Sequence, residues 1–135
     1  MFDSNTKILI VDDMSTMRRL VKKACNNIGF SNIEEAEDGQ KAWEKLQAAG
    51  DFQLVISDWN MPNCTGLEFL KKVRADSKLK RTPFILLTAE AEATQIAEAI
   101  QLGVSNYIVK PFTVETLKQK LEQTHMRLTA VKQSA

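Results

Sequence analysis

The sequence predicts an α/β fold built on a parallel sheet. Runs such as Ile8-Leu9-Ile10-Val11, Leu54-Val55-Ile56 and Phe84-Ile85-Leu86-Leu87 are unbroken by polar residues. That is the pattern of strands covered on both faces. Between the runs, apolar residues recur at helical spacing. Strand and helix patterns alternate five times along the chain, and such alternation specifies a parallel sheet joined by helical crossovers.

The first strand is Lys7 to Asp13, four apolar residues followed by two acids. Met14, Met17, Leu20, Val21, Ala24, Cys25 and Ile28 then form the apolar face of an amphipathic helix. Arg18, Arg19, Lys22 and Lys23 lie on its other face, and Gly29 ends it. Ile33 to Ala36 is a short, weakly patterned strand, predicted at a sheet edge. Asp38 can cap a second helix that carries Ala42, Trp43, Leu46 and Ala49 and is closed by Gly50. The third strand ends in Asp58, and a loop with Pro62 and Gly66 follows.

A third helix carries Leu67, Leu70 and Val73, and its charged far end, Lys71 to Arg81, is expected on the surface. Pro83 to Thr88 is the fourth strand. Ala93, Ile96, Ala97 and Ile100 define a fourth helix, ended by Gly103. Tyr107 to Lys110 is the fifth strand, stopped by Pro111. Thr113 can cap the last helix, with Val114, Leu117, Leu121 and Leu128 on one face. The polar segment 129–135 is expected to fray.

The 135 residues suit one domain, 1–135, able to bury a core. A hydrophobic fraction of 44% and a charged fraction of 26% exclude wholesale disorder. A net charge of +1 gives no drive toward nucleic acid or a membrane surface. Cys25 and Cys64 make neither a disulfide framework nor a zinc pattern. No signal peptide is apparent, and no apolar run approaches the roughly 20 residues of a membrane span. A reduced, cytoplasmic, single-domain protein is the expectation.

The chemistry emerges when the strand ends are compared. They are Asp12-Asp13, Asp58, Thr88 and Lys110. In a parallel sheet these ends share one rim, where open α/β sheets bind their ligands. Singly, each has a bland reading: Asp13 as a helix cap, Thr88 as a strand end, Lys110 as a solvated charge. Together they are hard to assign to structure alone. Crowded carboxylates raise one another's pKa, and a hard divalent cation relieves that. Mg²⁺ takes one or two carboxylates and keeps positions for water and phosphate oxygens. Lys110 supplies a compact positive charge for a phosphoryl oxygen, and Thr88 a hydroxyl donor. Asp58 is then placed to attack phosphorus in line.

With Val11-Asp12-Asp13, Ser57 to Pro62, Gly66, Leu87 to Ala91, Tyr107 and Lys110-Pro111-Phe112 in view, the chain resembles the receiver domains of two-component response regulators. Within them it is most similar to the stand-alone, CheY-like chemotaxis receivers. The likeness runs from about Lys7 to Leu121. It implies a doubly wound five-stranded parallel sheet flanked by five helices, in the flavodoxin-like order 2-1-3-4-5, for which CheY is a standard example. It also implies that Asp58 is the phosphoacceptor for a histidine kinase. Asp12, Asp13, Asp58 and the Asn60 backbone carbonyl would bind Mg²⁺. Lys110–Pro111 would be cis, Thr88 and Tyr107 would be the switch, and Asn60 and Glu90 would tune dephosphorylation. Without the likeness, Tyr107 reads as an edge-strand aromatic packed on a helix.

The implied product is a signalling switch and not an enzyme acting on other molecules. Its implied targets are a flagellar motor switch protein or another partner on the face of the fourth helix, fifth strand and fifth helix, with a phosphatase as a further partner. A monomer is expected. One departure supports an alternative. Motor-binding receivers carry lysines after the segment that here reads Thr88 to Ala91, where this chain has Glu92 and Ala93. The more acidic face suits a phosphate sink or phosphorelay intermediate that does not bind the motor. His125 reads as structural or solvated, Cys25 as an inert core thiol and Cys64 as a loop thiol open to solvent. The basic face of the first helix is either solvated or part of a dock for the phosphodonor.

Overall fold

The computed structural model describes residues 2–49, 51–62, 64–89 and 93–134, with side chains through Thr129 in the last helix. Its elements are β1 (Ile8–Val11), α1 (Ser15–Ile28), β2 (Ile33–Ala36), α2 (Gly39–Ala49), β3 (Leu54–Asp58), α3 (Gly66–Ala75), β4 (Phe84–Thr88), α4 (Ala93–Gln101), β5 (Asn106–Val109) and α5 (Val114–Ser134). The strands form a five-stranded sheet in the order β2-β1-β3-β4-β5. Every neighbouring pair is parallel. The unbroken apolar runs are thus strands, and the weakly patterned β2 is an edge, as expected.

Alternation along the strands divides the core in two. Ile8, Ile10, Leu54, Ile56, Ile85 and Leu87 face one side, where Val21, Ala24 and Cys25 of α1 and Leu117 and Leu121 of α5 cover them. Leu9, Val11, Val55, Phe84 and Leu86 face the other, under Ala42 and Leu46 of α2, Phe69, Leu70 and Val73 of α3 and Ala99 of α4. This two-sided cover is why the runs contain no polar residues. The chain leaves β1 for β2 at one edge and returns across β1 to β3. The β1–β3 boundary is therefore the topological switch point.

Local signals stop the elements where the sequence indicates. Asp38 Oδ1 accepts from Lys41 N at 2.7 Å, and Thr113 Oγ1 accepts from Thr116 N at 3.1 Å. Gly29 has φ +126°, the positive region expected of a residue that ends a helix. Gly50, assigned to close α2, lies outside the described residues.

Two expectations need correction. Met14 and Leu20 are 56% and 57% exposed, so the buried face of α1 narrows to Val21, Ala24 and Cys25. In α4, Ile100 is 60% exposed and Ala99 is the residue buried. The sheet and the neighbouring helices cover only part of each apolar stripe, and Met14, as the N-cap, stands ahead of the helix that is covered. The segment from Thr129 to Ser134 is part of α5. It holds no Gly or Pro, and its Ala, Lys and Gln favour helix. Below it, Phe2 packs edge-on against His125 with ring centroids 5.1 Å apart.

Gly66 opens α3 behind a capping box. Thr65 Oγ1 accepts from Glu68 N, and Glu68 Oε1 accepts from Thr65 N, each at 3.2 Å. A Cβ at Gly66 would stand 2.2 Å from the Asp58 carbonyl oxygen. Glycine is thus required because α3 begins directly against the end of β3. Gly66→Ala is expected to cost about 1–3 kcal/mol in equilibrium denaturation, with the cost accompanied by weaker divalent-cation binding. Unchanged stability would show that the loop moves aside freely.

Candidate functional site

The parallel register brings the site together. Val11 pairs with Ser57, and Asp58 with Leu87. Asp12 and Asp58 therefore emerge side by side at the carboxyl ends of β1 and β3. Thr88 pairs with Val109, and Lys110 N donates to Thr88 O at 2.7 Å. Lys110 consequently leaves the sheet on the same rim. The Lys110–Pro111 bond is cis.

Carboxylate oxygens of Asp12, Asp13 and Asp58 all lie within 4.8 Å of one another. Lys110 Nζ donates to Asp58 Oδ1 at 2.7 Å and stands 3.6 Å from Asp12 Oδ2. Asp12 is 1% exposed and Asp58 6%, whereas Asp13 is open to solvent. Burial, reinforced by the Asp58 charge, pushes the Asp12 carboxyl above its ordinary value against the opposing Met14 N–H. That N–H donates to Asp12 Oδ1 at 2.9 Å. Asp12 Oδ2 is buried and has no hydrogen-bond partner among the described residues.

A buried, unsatisfied carboxylate oxygen facing two further acids fits a hard cation, and the all-oxygen donor set fits Mg²⁺. The bland readings weaken accordingly. Met14 is the N-cap residue of α1 and receives no side-chain cap, so Asp13 does not perform that task. Lys110 is paired instead of solvated, and Thr88 is only 3% exposed.

Thr88 lines a pocket of about 170 Å³ with Trp59, Asn60, Ala89 and Gln95. Tyr107 pairs with Leu86, two residues before Thr88, so Thr88 and Tyr107, the pair the family resemblance implies as a switch, lie on the same sheet face, one pleat apart. Tyr107 is half-buried against the core cluster of that face. Asn60 is exposed in the loop after β3. Glu90 and Glu92 lie outside the described residues.

Several supporting residues escaped the sequence reading. Arg18, read there as solvated or as part of a dock, donates from Nη1 to Asp12 O at 2.6 Å and pairs with Glu35 at 3.2 Å. Ser57 Oγ donates to Asp58 O at 3.0 Å. No local spacing signals either contact, although the Thr65…Glu68 capping box was legible as a motif. Cys64 is buried, 4% exposed, and not open to solvent as expected. Its side chain fills the space against Gly39 at the start of α2, which a Cβ there would enter.

The family model described as the response regulator receiver domain matches residues 8–122. The chain belongs to this family. This receiver is 53% identical over 126 residues to chemotaxis protein CheY-3 of Vibrio cholerae, covering 93% of this chain and 96% of that protein. It is 50% identical over 116 residues to chemotaxis protein CheY1 of Helicobacter pylori, covering 86% of this chain and 94% of that one. The crystal structure of Vibrio cholerae CheY4 at low pH superposes with a TM-score of 0.82 at 39% identity, covering 89% of this chain and 98% of that one. The chain is a CheY-like receiver domain with the sheet order expected of it.

Two outcomes follow from this geometry. Burial pushes the Cys25 thiol up to about 12 and raises that of Cys64 as well. An aromatic disulfide reagent near pH 8 should therefore label the native protein only slowly, and both cysteines promptly in denaturant. Fast stoichiometric labelling of the native protein would contradict the burial. Asp12→Asn keeps an oxygen for Met14 N and removes one crowded charge. It should raise the metal-free melting temperature by a few degrees and weaken stabilisation by millimolar Mg²⁺. A lower metal-free melting temperature would show that the cluster is not strained.

Proposed function

We propose that this receiver accepts a phosphoryl group from a histidine kinase onto Asp58 in a Mg²⁺-dependent reaction, and that the modification changes its affinity for a partner. The observation that carries the reading is the Asp58 carboxylate held 2.7 Å from Lys110 Nζ beside the two other acids. Asp58 oxygen attacks the phosphorus of a phosphohistidine. The P–N bond breaks as the new O–P bond forms, and the imidazole leaves with the bonding electron pair. Lys110 offsets negative charge on the aspartyl phosphate, and the Thr88 hydroxyl donates to a phosphoryl oxygen. Asp12, Asp13, Asp58 and the Asn60 carbonyl would hold Mg²⁺, which when bound offsets charge on the phosphoryl oxygens. Water ends the signal by attacking phosphorus: the Asp58 O–P bond breaks as the new O–P bond forms, the carboxylate leaves with the bonding pair, and inorganic phosphate is released. Asn60 and Glu90 are proposed to tune that step.

Thr88 and Tyr107 are the proposed switch. Movement of Thr88 toward the phosphoryl group makes room for Tyr107, and the α4–β5–α5 face changes its partner affinity. This is a population shift limited by the differential contacts of the phosphoryl group with the two states. The output is proposed to be chemotaxis signalling to a flagellar motor switch protein, supported by the names of the two relatives. The chain is proposed to act in the cytoplasm as a monomer, as a switch and not as an enzyme on other substrates, with a phosphatase as a further partner. No nucleic-acid or membrane partner is proposed. No helix among the described residues is long and apolar enough to cross a membrane.

Trp59, buried beside Asp58, reports on the site. In a Trp43→Phe background, Mg²⁺ with beryllofluoride should change its fluorescence, and Asp58→Asn should abolish the response to the mimic. A preserved response in that variant would remove Asp58 as acceptor. Glu92 and Ala93 favour a second reading, a phosphate sink or phosphorelay intermediate. Affinity for a motor-switch peptide separates the two. A phosphorylation-dependent gain of about tenfold or more supports the motor reading, and no gain supports the sink.

A further inference from the structure

We propose that Lys120 and Asn106 form a latch that holds the Tyr107 ring in place and sets how readily the unphosphorylated receiver switches. This rests on the reading of Asp58 as acceptor and of Tyr107 as part of the switch. Lys120 Nζ lies over the Tyr107 ring, 4.9 Å from its centroid. A cation in that position is attracted by the face of the ring. For the ring to leave, it must give up that contact.

The ammonium is there because the backbone beneath it is pinned. Asn106, 4% exposed, opens β5 and uses both ends of its amide. Its Oδ1 accepts from Tyr107 N at 2.9 Å. Its Nδ2 donates to Lys120 O at 3.3 Å and to Thr124 Oγ1 at 3.2 Å. Thr124, 1% exposed, donates to the same Lys120 carbonyl at 2.7 Å. One buried amide thus binds the backbone of the tyrosine and the backbone of the lysine that covers it. Such a network is held in register because breaking it strands buried polar groups. With both backbones fixed, the ring is the part left to move, and the Lys120 charge resists that movement. Lys120 acts through Tyr107 and touches nothing at Asp58, so it is a positioning residue.

The phosphoryl site lies at the other end of this linkage, so reciprocity supplies the test. Lys120→Met keeps the apolar stem and removes the charge at a half-buried position where folding is not at stake. The protein has one tyrosine, so isotope labelling of tyrosine reports on this ring alone. In Lys120→Met the ring should become more mobile by NMR relaxation, and beryllofluoride with Mg²⁺ should bind roughly two- to fivefold tighter. Lys120→Arg, which retains a cation, should restore both values. In a Tyr107→Leu background, Lys120→Met should no longer alter beryllofluoride affinity. Unaltered ring mobility, or an equal affinity gain without the tyrosine, would overturn the latch. Failure of the wild-type protein to bind beryllofluoride would instead sink the Asp58 reading, with ring mobility still deciding the latch.

Discussion

Oxygens of three carboxylates lie within 4.8 Å of one another, with the Lys110 ammonium hydrogen-bonded to one of them. Two of these acids are buried, and Asp12 keeps one oxygen without a hydrogen bond among the described residues. A cluster of this kind is unfavourable on its own, since burial and mutual repulsion both act against the charged forms. Its residual demand for positive charge is what makes it useful. A divalent cation satisfies part of that demand and leaves room for phosphate oxygens. The ground-state crowding and the proposed chemistry are thus one electrostatic arrangement.

Holding the cluster requires a rigid floor, and the parallel sheet supplies it. β1 and β3 run in register to the same rim, so Asp12 and Asp58 cannot separate without breaking the ladder. Arg18 grips the Asp12 carbonyl from α1, and α3 begins flush against the Asp58 carbonyl because residue 66 has no side chain. Both contacts address the backbone of an acid and leave its carboxylate available.

The polar joints at the opposite rim have a different effect. Arg74 is half-buried with no carboxylate partner among the described residues, and desolvation lowers its pKa. It donates to Gly103 O at 2.8 Å, Lys80 O at 3.1 Å and Thr82 O at 2.7 Å. These bonds tie the end of α3 to the turns that precede β4 and β5. Asn106 makes the comparable tie from the start of β5 to α5. Both joints lie away from the carboxyl rim, where Thr88 and the proposed phosphoryl group meet.

Local sequence determined the alternation of strands and helices, the caps at Asp38 and Thr113, and the residues at the strand ends. These are short-range properties: apolar periodicity and turn chemistry act within a few residues. Because parallel strands align their ends, Asp12, Asp13, Asp58, Thr88 and Lys110 could be assembled from sequence alone. Tertiary structure decided how much of each helix is covered, leaving Leu20 and Ile100 exposed and Cys64 buried. Burial depends on how much surface a neighbouring element offers, which periodicity does not encode. It also decided that Arg18 would serve Asp12, that residue 66 would touch Asp58, and that Lys120 would cover Tyr107. Such contacts join elements whose relative placement exists only once the sheet has closed its core.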